Sequence, residues 1–470
     1  MNTTLEKRPV APQSLPEAHK PKFDDTLVTG NLWRACWVMA WPLLIATIAN
    51  SLVGICDLYV AGFLGTSSQA AVGISEHIAF FAMLLIMGVS MGTTAIVSRY
   101  WGEKNYEEGV RFTAHSILFS FVFGIVLSVA LLVFGIMSLS MFSNSLEVQT
   151  LARQYLCIYS FYIIPFSIVS VMNSALRASG DAKTPLVLVA CFTSLTVIGD
   201  FLTVVLQWPV ANLGIQGIAI SAVVASFTSS LLGIVLLRRS KLAPSMHHFM
   251  PLDIDRIRRV VKIGVPSALQ RLGWATSLFV LYFILSQCDT PTPALAALAV
   301  GMRIEALLFM PIMALNMAVS SIVGQNLGAK KVKRAYQAGV KMATVGFWSL
   351  TVLGAIMFLL ADNIASWISS DPVTIPHIPS YLRIAAFCEP FLALAMILSG
   401  ALQGAGDTKT PMWITIICNW LVRLPLAYWL VLGLDMGPSG AWLAMTLSVV
   451  MSGIITAMRF RSLSWTRQRV

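Results

Sequence analysis

LRASGDAKTPL at 176–186 and LQGAGDTKTPM at 402–412 are two versions of one segment, and their pairing decides the architecture. Six of the eleven positions are identical, all at an offset of 226: Leu176/Leu402, Gly180/Gly406, Asp181/Asp407, Lys183/Lys409, Thr184/Thr410 and Pro185/Pro411. Outside the segment the same offset relates Gly102 and Lys104 to Gly328 and Lys330. Pro42 and Pro266 match at 224, Pro165-Phe166 and Pro390-Phe391 at 225, and Gly214/Gly217 and Gly437/Gly440 at 223, a drift that small insertions and deletions explain. The chain is a duplication.

Its composition says what was duplicated. The 470 residues are 57% hydrophobic and 11% charged, with a mean hydropathy of +0.77, against about 25% charged in an average soluble domain. Between Trp33 and Met458 there are twelve runs of about 20 residues nearly free of charge, each long enough to cross ~30 Å of hydrocarbon as a helix. Six spans per half is an even number, so both halves start from the same side and the repeat is parallel. The expected fold is all-α and integral to the membrane: two six-helix bundles related by a pseudo-twofold axis along the membrane normal, suited to alternating access. The expected division is a disordered cytoplasmic tail at 1–30, an N-terminal bundle at 31–237, a cytoplasmic linker at 238–262, a C-terminal bundle at 263–460 and a cytoplasmic tail at 461–470.

The net charge of +11 falls in alternate loops. Arg99, Lys104 and Arg111 follow span 2, Arg177 and Lys183 span 4, and a run from Arg238 to Lys262 span 6. Lys330, Lys331, Lys333 and Arg334 follow span 8, Lys409 span 10, and Arg459, Arg461, Arg467 and Arg469 end the chain. By the positive-inside rule both termini are cytoplasmic, in a plasma-membrane protein whose basic charge meets lipid rather than nucleic acid. The seven cysteines lie in or at the edges of apolar runs without CxxC spacing, so neither a disulfide framework nor a zinc site is implied. Residues 1–30 hold Pro9, Pro12, Pro16 and Pro21 and no apolar core, unlike a signal peptide.

A carboxylate at the bilayer centre costs about 2.5 to 3.5 kcal/mol on insertion scales, which makes intramembrane acids functional candidates. Five qualify: Asp57, Glu76, Asp200, Glu305 and Glu389. Asp57 shares a small, polar face of span 1 with Asn50, Gly54 and Ala61. Asp200 ends a stripe of Thr193 and Thr196, continued by Thr203, on span 5. By helical rise Asp200 lies about 22 Å from the inner end, at a depth similar to Asp57. Two carboxylates so placed in one bundle favour holding a proton between them. The alternative is that each aspartate caps a helix break or bonds a hydroxyl. At the repeat positions, near Leu281 and near Pro425 or Leu426, the second half lacks these acids. Glu389 is a candidate for binding a cationic substrate or for a second titrating site, or else a salt bridge to Arg383 or to another span. Glu76, His77 and Gln270 are further candidates for that second site, with an interfacial role as the alternative for Glu76 and His77. Arg271, Arg303 and Arg423 are expected to pair with acids of other spans or to snorkel. Pro42 and Pro266, kept in both halves, are the expected hinges.

The paired GD-x-KTP motifs, the glycines at 102 and 328, and AGFLG at 61–65 together resemble the multidrug and toxic compound extrusion (MATE) family of cation-coupled antiporters over about residues 30–460. In its DinF-like branch an Asp on span 1 and an Asp on span 5 form the cation site, and Asp57 and Asp200 match those positions. That branch commonly has an Asn four residues before the span 5 Asp, where this chain has Thr196, and a hydroxyl on span 6, where Ser221 lies nearby. Losing an amide oxygen weakens a sodium site more than a proton site, so the expected coupling ion is H+ rather than Na+, which Asp57 and Asp200 would otherwise ligate. The NorM-like branch has a Glu in span 7, where this chain has about Trp274, and an Asp in span 10, near Glu389. The resemblance implies a monomeric exporter of small-molecule drugs or toxic organic cations, without a cofactor and not an enzyme. A flippase for a lipid-linked or amphipathic substrate is the alternative. An integral-membrane enzyme would need a DDxxD or HExxH motif, and neither occurs.

Overall fold

The structure, a computed structural model, describes residues 25–142, 145–208, 213–289, 291–368 and 377–468. Within them the membrane-crossing segments are α1 (Leu32–Phe63), α2 (Thr66–Gly102), α3 (Tyr106–Met141), α4 (Leu146–Ala178), α5 (Lys183–Val205) and α6 (Ile215–Arg239). The second half supplies α7 (Ile254–Leu285), α8 (Pro291–Gly328), α9 (Val332–Leu359), α10 (a bent pair, His377–Ala386 and Glu389–Gly404), α11 (Lys409–Gly433) and α12 (Pro438–Arg461). Twelve helices in two bundles of six, α1–α6 and α7–α12, realise the parallel repeat.

The repeated motif is a helix-reversing cap. Gly180 and Gly406 take φ of 96° and 91°, a region that side chains with a Cβ rarely enter, and there the chain turns out of α4 and α10. Asp181 Oδ1 then accepts from the backbone N–H of Lys183 and Thr184, each at 3.0 Å, and the Thr184 hydroxyl donates to Oδ2 at 2.6 Å. Asp407 repeats this with Thr410, whose hydroxyl donates at 2.8 Å, and also accepts from Arg459 of α12 at 2.8 Å. Pro185 and Pro411 sit in the first helical turn, where no backbone donor is needed. Gly180→Ala and Gly406→Ala should each destabilise the protein by about 1–2 kcal/mol. The check is thermal unfolding in detergent, where an unshifted midpoint would contradict this account of the motif.

α1 and α7 run unbroken through Pro42 and Pro266. The interruptions are in α4, at the 3-10 turn Ser160–Tyr162, and in α10, which bends by 54° between Ala386 and Glu389. Pro165 and Pro390 lie just beyond these two breaks, at equivalent repeat positions. π-helical turns interrupt α5 at Phe201–Val205, directly after Asp200, and α11 at Ile417–Arg423 and Trp429–Gly433.

The bundles meet through α2 against α7 and α1 against α8. A Cβ on Gly102 would overlap the Gln325 carbonyl, and one on Gly328 the Arg99 carbonyl. Gly88 touches the Gly264 carbonyl and Ala268 in the same way. These contacts seal the face that carries the basic loops, and we call it the basic face.

Both ends of the described chain fold over that seal. Residues 25–30, expected to be disordered, begin with the 3-10 turn Asp25–Leu27, and Leu27 is buried. Asn326 donates to the Leu27 carbonyl at 3.1 Å, and Arg334 to Gly30 at 2.8 Å. At the other end Trp465 is fully buried and stacks on Phe460, while Arg99 donates to the Gln468 carbonyl at 3.1 Å. Residues 1–24 of the expected tail and Arg469 lie outside the described residues. α6 ends at Arg239 and α7 begins at Ile254, so the connection between bundles is 240–253, shorter than the expected 238–262.

Candidate functional site

Three carboxyl groups converge inside the first bundle. Asp57 from α1 and Asp200 from α5 are buried to 3% and 0% exposure, and Glu76 of α2 is half-buried. Asp57 lies beside both Asp200 and Glu76, and Asp57 Oδ1 and both Asp200 oxygens are buried without a hydrogen-bond donor within the described residues. Carboxylate oxygens only accept, so a hydrogen bond between these groups forms when one of them carries a proton. Among the described residues no lysine or arginine acts on any of the three. One wall of the site is an aromatic ladder on α4, Tyr155, Tyr159 and Tyr162, with centroid spacings of 5.0 and 4.9 Å. The Tyr155 hydroxyl is buried without a hydrogen-bond partner among the described residues.

The hydroxyl stripe on α5 faces α1 and α6. Thr193 donates to the Ala49 carbonyl of α1 at 3.4 Å, and Thr203 lies 3.4 Å from Ser221 of α6. The Ser221 hydroxyl donates to its own helix at Gly217, 2.9 Å away, and both Asp200 carboxyl oxygens are buried without a hydrogen-bond partner within the described residues. Thr196 is fully buried one turn before Asp200, but its hydroxyl donates to its own helix at Phe192, 2.9 Å away. Asn50 is exposed on α1, about 10 Å along the axis from Asp57. His77 is exposed and turned back onto its own helix, its Nδ1 2.8 Å from the Gly73 carbonyl. Gln270 is held inside the second bundle, donating to Thr415 at 3.0 Å and accepting from Gln403 at 2.6 Å.

The second bundle builds a separate acid site from residues that the repeat comparison left unpaired. Glu305 of α8 accepts from the Tyr381 hydroxyl of α10 at 2.7 Å. Glu389, fully buried at the α10 bend, has neither carboxyl oxygen hydrogen-bonded within the described residues. Arg423 of α11 is buried beside them and donates to Ser448 at 2.8 Å. These groups line a cavity of about 50 Å³ together with Trp274 and Trp442. That is room for a few waters and too little for a drug. The alternative reading of Glu389 as a partner of Arg383 is overturned: Arg383 pairs with Asp362 at 2.5 Å. The available signal was in the repeat, since an offset of 226 sets Glu76 against Met302, one helical turn from Glu305.

The MatE family profile matches this chain at residues 42–202 and again at 266–429, once in each bundle. A probable multidrug resistance protein NorM from Thermotoga maritima is 25% identical over 443 residues, covering 92% of this chain and 93% of its own. The transporter YisQ of Bacillus subtilis is 23% identical over 435 residues, covering 92% and 94%. Among solved structures, a MOP superfamily transporter from Pyrococcus furiosus superposes with a TM-score of 0.89 at 20% identity, covering 96% of this chain and 100% of that one. The Vibrio cholerae MATE transporter VcmN gives 0.86 at 19% identity, covering 93% and 99%.

Proposed function

The chain belongs to the MATE family and is a multi-pass membrane transporter, not an enzyme; from that premise we propose that it is a proton-coupled antiporter exporting lipophilic, often cationic, compounds. The curated relative from Thermotoga maritima carries a multidrug resistance name, which supports small-molecule drugs as substrates. The positive-inside rule makes the basic face cytoplasmic, with both termini there and the protein in the plasma membrane. On this reading the sealed basic face corresponds to the outward-facing state.

One observation carries the coupling: Asp57, Asp200 and Glu76 meet inside the bundle with no basic partner within the described residues. Protonation from outside lets the acids share hydrogen bonds and draws α1 and α5 together. Deprotonation toward the cytoplasm restores the repulsion and resets the carrier. A sodium ion needs several oxygen ligands, and the Thr196 hydroxyl is already bonded to Phe192, which favours the proton. This carboxyl pair on α1 and α5 is the DinF-like arrangement. In the second bundle Arg423 acts on Glu305 and not on Glu389, so the site keeps one uncompensated acid and serves as a second titrating site. Pro42 and Pro266 serve as hinges within their unbroken helices. No cofactor enters the scheme, the working unit is the monomer, and lipid is its solvent.

A charge moved down 100 mV supplies ~2.3 kcal/mol and a pH unit ~1.4 kcal/mol, enough for up to a few-hundredfold gradient of drug. Ethidium efflux from vesicles with proton and sodium gradients imposed separately tests the scheme. Export driven by the proton gradient alone is expected; export that follows sodium alone would overturn the proton assignment.

A further inference from the structure

Arg271 sits on α7 in the stripe Gly264, Ala268, Arg271, Ala275, Phe279, whose spacing keeps all five on one helical face. Both ends of that stripe touch α2: Gly264 and Ala268 pack against Gly88, and Phe279 lies 5.9 Å from Phe81, ring to ring. Arg271 therefore faces the other bundle, between the sealed seam on its basic side and the aromatic pair beyond it. The part of α2 between Gly88 and Phe81 is Ala82-Met83-Leu84-Leu85-Ile86-Met87, which offers no acid.

The guanidinium has no ion pair and no hydrogen bond within the described residues. Its Nε is buried unpaired, and no carboxylate acts on its charge. Arg423, by comparison, has Glu305 nearby and Ser448 in hydrogen-bond contact. A cation at mid-membrane without a counter-charge is costly and is tolerated where it faces a cavity or binding path. Two residues further along α7, the Gly273 carbonyl accepts from Trp420 Nε1 of α11 at 2.9 Å.

We infer that Arg271 is an anion-recognising subsite at the floor of the path between the bundles. It selects aromatic amphipaths that carry a carboxylate, sulfonate or similar group, zwitterions included. The planar fork of arginine suits such a group in a bidentate pair. The inference deepens the export reading above by adding a substrate class that simple lipophilic cations do not represent.

The test compares a rhodamine bearing a free carboxylate with its methyl ester, binding to the purified protein in a neutral, lipid-free detergent, followed by fluorescence anisotropy. A charge-assisted hydrogen bond of the usual strength corresponds to about 10- to 100-fold in affinity. In Arg271→Gln the ratio of acid to ester affinity should therefore fall at least about tenfold, and Arg271→Lys should recover part of it. Equal change for both dyes, or no change for either, overturns the inference. Ester export by the wild type, measured in parallel, reports on the export reading by itself, so the two can fail separately. Size-exclusion profiles identify any variant that has not folded, and Arg271→Lys then carries the comparison.

Discussion

Asp57→Asn and Asp200→Asn should each abolish proton-driven drug export while leaving the fold intact. The asparagine amide has nearly the shape of a protonated carboxyl and donates a hydrogen bond, so it preserves the contacts of the loaded state. It cannot release a proton, so the reset step is lost. The two positions are coupled through the Asp57 contact with Asp200, and the double variant should be no worse than either single one. Glu76→Gln is expected to be milder, since Glu76 reaches Asp57 from a half-buried position. Ethidium efflux under an imposed pH gradient is the assay. Wild-type rates in both single variants would sink the carboxyl mechanism.

Gly328→Val should hold the carrier open at its basic face. The side chain would occupy the space of the Arg99 carbonyl and the Glu103 backbone, which belong to the other bundle and have no flexible end to give way. Overpacking of this kind costs about 1–3 kcal/mol, and only in the state that closes this seam. Two states separated by a few kcal/mol then shift in ratio by about 10- to 100-fold. Gly102→Val acts on the same seam from the opposite side, against Gln325. In a background without the native cysteines, Ala178→Cys reports the opening. Ala178 is fully buried, and its carbonyl accepts from Gln325 at 2.7 Å. Maleimide labelling at this position should rise at least tenfold and export should fall. Unchanged labelling with normal export would contradict the role given to the seam, and Gly328→Ala provides a gentler version should the valine variant not fold.

The twelve spans, the parallel repeat and the pairing of Asp57 with Asp200 were legible in the sequence because each is carried by local pattern. Charge-free runs mark helices, and a repeated segment of six identities fixes the offset. The GD-x-KTP motif was legible as a repeat, but its cap chemistry needs φ and hydrogen bonds that letters do not give. Glu76 joins Asp57 and Asp200 through helix rotation, which one residue decides: His77, its neighbour, faces outward. The second acid site was hidden for a different reason. Glu305, Tyr381, Glu389 and Arg423 come from three helices and have no shared spacing. The α10 bend that brings Glu389 inward lies at Phe387 and Cys388, where no motif in the sequence marks it. Leu27 and Trp465 pack against the basic face although both lie in segments polar enough to read as tails.

The most direct measurement is proton release on substrate binding. Ethidium added to the purified protein in weakly buffered detergent, with a pH dye as reporter, should displace protons from the wild type and none from Asp57→Asn/Asp200→Asn. Release of the same size from the double variant, or binding without release from the wild type, would contradict the account.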